Sequence, residues 1–313
     1  MTAMREGPSF GVVGAGAMGG VFGALLTEAG IATALLDVNP QLVDTINQRG
    51  ITLQESGCDR TVRVPARTDV VGLDPPDAVL FFVKCQHTQA AAEVVRPLVR
   101  DGTQVVTLQN GWGNADVLTR AFGKDRIVVG VTYTSATVIL PGTIRTSGPA
   151  RTVLGALAGN RSLAEPVADA LRRAGFPVEH PADVLSEIWK KLVLNAATLP
   201  TAGLTGLTAG GLPGSADMHW LVDTAAAEAV KVGQAMGFDV ELDERLQSIH
   251  AVLERAGAGK GSMLQDVEAG RRTEIDVISG AVLSMARSAG LEVPITRALY
   301  ALVTGLERAR GQR

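Results

Sequence analysis

Along the first half of the chain, short and nearly unbroken apolar runs alternate with stretches whose apolar residues recur at helical spacing. The runs cover 9–14, 33–38, 78–84 and 104–108. Between them, 17–29, 40–49 and 88–99 carry the 3.6-residue period of amphipathic helices. Continuous rather than alternating apolar strands are those buried on both faces. Their alternation with helices predicts a parallel, doubly wound α/β sheet. The segment 51–66 breaks the pattern, being polar, glycine-bearing and rich in β-formers, and reads as a hairpin insertion. Further strands are expected at 127–139 and 152–158. From about residue 183 the chain turns Ala-, Leu- and Glu-rich. Helices are expected there at 184–198, 216–236, 243–255, 263–269, 275–289 and 294–308, joined by glycine-rich connections at 209–214 and 256–261. The reading is therefore two domains, 1–182 α/β and 183–313 all-α, with an active site expected in the cleft between them.

Composition narrows the function. The 313 residues suffice for two cores, and a formal charge of −3 leaves no basic footprint for nucleic acid. Arg5 and Glu6 precede any apolar run, so no secretory signal is expected. The run enclosed by Asp77 and Lys84 is far shorter than the ~20 residues that span a bilayer, and no membrane partner is expected. Two cysteines, Cys58 and Cys85, form no CxxC pair, which disfavours a disulfide framework or zinc knuckle and suits a reducing cytoplasm. The four histidines show no HExxH spacing; His250 and Glu254, four apart, read as a solvated helix pair rather than a metal site.

The first apolar run leads into Gly14-Ala15-Gly16-Ala17-Met18-Gly19, a GxGxxG loop between a strand and a helix. The first glycine permits the turn, the second lets the backbone approach a pyrophosphate, and the third lets the helix pack on the strand. The free N–H groups at the helix start complement the phosphate charge. Asp37 ends the second strand about 20 residues on, where a carboxylate accepts hydrogen bonds from the ribose hydroxyls of NAD and repels the 2′-phosphate of NADP. The competing role for Asp37 is a turn aspartate before Asn39-Pro40. The first domain is thus read as a Rossmann dinucleotide-binding domain.

Four further segments stand in order: Phe82-Val83-Lys84, Gln109-Asn110-Gly111-Trp112-Gly113, the run from Glu187 to Asn195 (EIWKKLVLN), and Ser262-Met263-Leu264-Gln265-Asp266 followed by Arg272-Thr273-Glu274-Ile275-Asp276. With them the chain resembles, over essentially its whole length, the ketopantoate reductase (2-dehydropantoate 2-reductase) family. The resemblance implies hydride transfer from a nicotinamide to the C2 ketone of a small 2-keto acid. Lys191 is then the proton donor, with its pKa lowered by desolvation, and Glu274 supports it and contacts cofactor or substrate. Asn110, Asn195 and Ser262 fall on substrate-binding positions, with Asn110 also near the nicotinamide. Lys84 and Ala136 fall on cofactor positions, while Asp266 stays open between a contact and a structural role. Ser262 and Gln265 also read, on spacing alone, as an S-x-x-Q capping box.

Two positions depart from the family. The family has Asn-Pro where this chain has Leu199-Pro200, and leucine cannot bond the far hydroxyl of ketopantoate. In NADP-using relatives Lys84 shares the 2′-phosphate with a basic residue, which Asp37 replaces here, so NAD is favoured and NADP is the alternative. The open readings are ketopantoate reduction, NAD-dependent 2-hydroxy acid dehydrogenation on apolar branched or aromatic 2-keto acids, and a non-catalytic nicotinamide-binding sensor. A homodimer through the helical half is compatible with this organisation, although no apolar stripe marks one.

Overall fold

The computed structural model describes residues 8–55 and 57–313; the N-terminal reading on Arg5 and Glu6 falls outside them. The chain divides into two compact units, one running to Gln109 and resuming over Asn114–Val184, the other made of Asn110–Gly113 and Leu185–Arg313.

In the first unit the expected alternation is present. It runs β1 (Ser9–Val13), α1 (Ala17–Glu28), β2 (Ala32–Leu36), α2 (Pro40–Arg49), β3 (Ile51–Glu55), β4 (Cys58–Val62), β5 (Ala66–Arg67), β6 (Ala78–Phe81), α3 (Thr88–Val95) and β7 (Gln104–Thr107). It continues through α4 (Asn114–Phe122), β8 (Ile127–Thr132), β9 (Ala136–Leu140), β10 (Thr143–Thr146), β11 (Thr152–Ala156), α5 (Arg161–Arg173) and β12 (Val178–Glu179). Eight strands form one sheet in the order β12-β11-β8-β7-β6-β1-β2-β5. It is parallel from β5 to β8, and β11 runs antiparallel to β8. The chain moves outward from β1 on one side through β2 and β5, then returns to β6 on the other. The strand order thus reverses beside β1, where ligands bind in open α/β sheets. Val13 pairs with both Leu36 and Phe81, so Gly14, Asp37 and Phe82 leave the same carboxyl edge of three adjacent strands. Strands β1, β6 and β7 are buried along their full length, as continuous apolar runs require.

The hairpin β3–β4 forms as expected, but it does not stand alone. It joins β10 and β9 in a second sheet, β4-β3-β10-β9. The strand expected at 127–139 is broken there. Thr132 and Thr134 explain the break: the Thr132 hydroxyl accepts from the Thr134 N–H at 3.3 Å and the Thr134 hydroxyl accepts from the Ala150 N–H at 3.1 Å. Local side-chain bonds of this kind compete with ladder pairing. Helices α4 and α5 were not anticipated. Pro166 inside α5 disguised it, yet the helix holds by burying Ala164, Val167, Ala168, Ala170 and Leu171.

The second unit consists of α6 (Val184–Thr205), α7 (Ala216–Ala235), α8 (Leu242–Ala256), α9 (Ser262–Glu268), α10 (Ser279–Ser288) and α11 (Pro294–Ala309). Helix α6 was expected to stop near Thr198, but it runs through Pro200. Pro200 removes one helical N–H. The hydroxyls of Thr198, Thr201 and Thr205 nonetheless donate to the carbonyls four residues back, and Ala196, Ala197, Leu199 and Ala202 are buried on either side of Pro200. Each unit has its own core, centred on Phe22, Leu35 and Leu80 in the first and on Trp189, Ala226 and Leu264 in the second. Among the described residues no helix is long and apolar enough to cross a membrane.

Candidate active site

The glycine loop of the first unit shows three different reasons for three glycines. Gly14 sits at φ +95°, and a Cβ there would press on the Val83 N at 3.0 Å. A Cβ on Gly19 would collide with the Gly14 carbonyl, so the close seating of α1 on the turn needs glycine. A Cβ on Gly16 would meet nothing within 4 Å. Gly16 is the N-cap of α1, followed by Ala17 and Met18, and the first turn holds no acidic residue. The backbone therefore faces open space at a helix N-terminus, which suits a pyrophosphate.

Asp37 does two things. Its Oδ2 accepts from the Ala15 N–H at 2.8 Å and its Oδ1 from the Asn39 N–H at 3.0 Å, so the turn reading holds and the carboxylate also ties the glycine loop to the end of β2. A carboxylate has about four acceptor sites, which leaves capacity for ribose hydroxyls. Lys84 lies beyond β6, just ahead of a 3₁₀ turn over Cys85–His87, and Ala136 opens β9. The Gln109 side-chain amide donates to the Val83 carbonyl at 2.7 Å and to the Thr88 hydroxyl at 2.8 Å, locking the ends of β6 and β7 together.

The next residue, Asn110, belongs to the helical unit. Gly111 (φ +84°) lies so close to Val277 that a Cβ would strike its carbonyl oxygen, and the Trp112 N–H donates to that oxygen at 2.7 Å. The Trp112 ring packs edge-on to Trp189 at 5.6 Å and against Phe238 at 5.1 Å. Trp189 is fully buried, its indole N–H bonded to the Ala229 carbonyl, and a Cβ on Gly233 would collide with it. Two residues on, and so roughly on the opposite side of α6, the Lys191 ammonium donates to Asn110 Oδ1 at 2.9 Å. Burial pushes Lys191 down to about 8, against the upward pull of the Glu274 carboxylate. A lysine of that pKa near a carboxylate can hold and release a proton near neutral pH.

Asn195 and Leu199 continue the Lys191 face at four-residue steps, both buried. Leu199 packs on Gly261, where a Cβ would lie 2.9 Å from its Cδ2. Ser262 follows at the first helical position of α9. The expected capping box is corrected: the N-cap is Gly261, one residue earlier, and Gln265 donates instead to the Lys260 carbonyl at 2.8 Å. Glu274 is 7% exposed. Its neighbours are pinned, for buried Glu307 accepts from the Thr273 N–H at 2.7 Å and from its hydroxyl at 2.6 Å. Asp276 accepts from Tyr300 at 2.9 Å, Arg272 at 3.0 Å and Arg313 at 2.8 Å. Asp266 is buried and pairs with Arg271 at 3.1 Å. Sequence reasoning missed Gly111, Trp112, Val277 and Glu307. The QNGWG string carried a signal for the first two, but nothing local marks Glu307.

Such a molecule is a Rossmann-fold oxidoreductase with an all-α second unit. Comparison fixes the family. The profile described as Ketopantoate reductase PanE/ApbA matches residues 10–159, and Ketopantoate reductase PanE/ApbA C terminal matches 183–307. The chain belongs to the ketopantoate reductase family. A 2-dehydropantoate 2-reductase of Halobacterium salinarum is 31% identical over 95% of this chain and 98% of its own. The crystal structure of a PanE/ApbA family ketopantoate reductase from Ralstonia eutropha is 30% identical, covers 97% of this chain and 99% of its own, and superposes with a TM-score of 0.88. D-mandelate dehydrogenase, solved with NADH and anilino(oxo)acetate, shares the fold with a TM-score of 0.92 at 24% identity, over 97% of this chain and 100% of its own.

Proposed function

We propose that this chain is a nicotinamide-dependent reductase of a small 2-keto acid, with Lys191 as the proton donor and NADH as the preferred cofactor. The observation that carries the reading is the partly buried Lys191 ammonium, bonded to Asn110 and held near a pKa of about 8 within the field of Glu274. The cofactor fits the first unit on physical grounds, because Gly16 leaves open space at the N-terminus of α1. Gly14, Ala15, Gly16, Ala17, Met18 and Gly19 would hold the pyrophosphate, Asp37 the ribose, and Lys84 and Ala136 its surroundings. The bound nicotinamide supplies a hydride to C2. The chain's own residues do the rest: Lys191 delivers its proton to the C2 oxygen and, while charged, stabilises negative charge there. Asn110 orients the ammonium. Glu274 keeps Lys191 more basic than burial alone would leave it, so the donor is largely charged at neutral pH.

The relatives named 2-dehydropantoate 2-reductase support ketopantoate as the substrate. One observation favours a second reading. Leu199 presents an apolar group beside Gly261 and Ser262, where the family pattern has a hydrogen-bonding asparagine. A site without that partner favours an apolar branched or aromatic 2-keto acid, giving a 2-hydroxy acid. Asn195 and Ser262 hold the substrate in either case. The ratio of kcat/KM for ketopantoate to that for its deoxy analogue decides: a ratio above one supports the first substrate, and a ratio below one the second. Turnover of neither, with NADH still bound, would make the chain a nicotinamide sensor and defeat the proposal.

A further inference from the structure

Away from these residues, three metal-competent side chains of the helical unit converge. Ser215 caps α7 by accepting from the Met218 N–H at 3.3 Å, which fixes the first turn of that helix. His219 and Asp223 follow at i and i+4 and stand one above the other on one helix face. His250 reaches them from α8. Its Nε2 lies 2.7 Å from Asp223 Oδ1, and its ring meets that of His219 edge-on with centroids 5.2 Å apart. One ligand atom from each residue lies within 4.8 Å of the other two, and all three side chains are partly exposed, so an ion from solution can enter without unfolding.

We propose that His219, Asp223 and His250 bind one first-row divalent cation, joining α7 to α8 and leaving the remaining coordination to water. Two imidazoles and a carboxylate form a borderline donor set that suits zinc and its neighbours, whereas magnesium and calcium require oxygen ligands. A cation about 2.0–2.2 Å from each donor sets the donors roughly 3.3 Å apart. Asp223 and His250 stand closer than that, at 2.7 Å, and part slightly to admit the ion, while a side-chain adjustment of His219 brings in the third donor. On binding, neutral His250 takes the tautomer with its hydrogen on Nδ1, and the Nε2 lone pair, no longer engaged with Asp223, goes to the ion. The single carboxylate charge offsets half of the ion's charge, and the net positive remainder faces water. None of the three residues enters the proposed reaction, so the site stands or falls independently of it. The expected solvated pair of His250 with Glu254 is also corrected, because the partner of His250 lies on α7.

The test is calorimetric titration of the chelator-treated full-length protein with Zn²⁺, with Mg²⁺ present in excess. One equivalent should bind, unaffected by Mg²⁺, and the melting temperature should rise with it. His219→Ala and His250→Ala should each weaken binding more than about tenfold, as loss of a direct ligand exceeds the effect of an outer-shell change. Their circular dichroism and metal-free melting should match the parent. Asp223→Asn, which keeps a partner for His250 but loses the charge, should also weaken it. Absence of saturable binding, displacement by Mg²⁺, or parent-like affinity in either histidine variant would overturn the proposal.

Discussion

The place of Lys191, the proposed donor, follows from the locked rotation of α6. Trp189 fills the core on one side of the helix, which commits Lys191 to the other, within 2.9 Å of Asn110. Lys191→Ala should lower kcat by about 10²–10⁴, the usual worth of a positioned acid, while NADH affinity stays as in the parent. The pH dependence follows from the charge form. Reduction needs the ammonium, which is present below a pKa of about 8 and lost above it, so kcat/KM for the keto acid should be level at lower pH and fall as pH rises through 8. Oxidation of the hydroxy acid should show the opposite limb. Glu274 pulls the lysine upward, so in Glu274→Gln the bend should move to lower pH; a bend that stays in place would remove Glu274 from this role. At Asp37, replacement by Asn should lower the NADH-to-NADPH ratio of kcat/KM by at least about tenfold, roughly 1.4 kcal/mol. The Asp37 backbone contacts should survive in part, since asparagine still accepts at one oxygen. These residues stood out in sequence as candidates because each belongs to a local string with its own chemistry. The capping reading of Ser262 was not, because the cap fell on Gly261, which has no side chain to signal it.

At the scale of elements, the glycine loop separates fold from binding. Gly19→Ala forces the start of α1 off the Gly14 carbonyl and should destabilise the protein by about 1–3 kcal/mol, the usual cost of overpacking. Gly16→Ala meets nothing within 4 Å, so melting should be unchanged while cofactor affinity drops. Equal loss of stability in the two variants would contradict the assignment. The segment carrying Glu274, just ahead of a 3₁₀ turn over Ile275–Val277, depends in turn on a remote residue. Glu307, buried on α11, holds both the N–H and the hydroxyl of Thr273, so Glu307→Ala should cost about 3 kcal/mol or more, the penalty for stripping a buried network of one charge. Sequence pattern captured most elements because their apolar period is local. It missed α5 and the far end of α6, where burial overrides an internal proline, and it ran β8 into β9 because threonine hydroxyls break the ladder there. Glu307 was invisible for a related reason: its partner lies 34 residues away.

The whole molecule divides its work between two cores. The α/β unit brings Gly14, Asp37 and Phe82 to one edge of adjacent strands, and the helical unit gathers Asn110, Lys191 and Glu274. The backbone passes from one to the other between Gln109, which cross-links strand ends in the first, and Asn110, which bonds the lysine of the second. That junction explains why a plain Asn-Gly turn would not serve: Gly111 and Trp112 must also seat the segment on Val277 and Trp189. The central claim is that this arrangement reduces a 2-keto acid with Lys191 as donor. It is tested most directly by steady-state oxidation of NADH and NADPH with ketopantoate and with branched and aromatic 2-keto acids, on the parent protein and on Lys191→Ala. The account predicts turnover with at least one 2-keto acid, faster with NADH, and its near-complete loss in the variant. No turnover with any of them, or turnover that survives in Lys191→Ala, would contradict it.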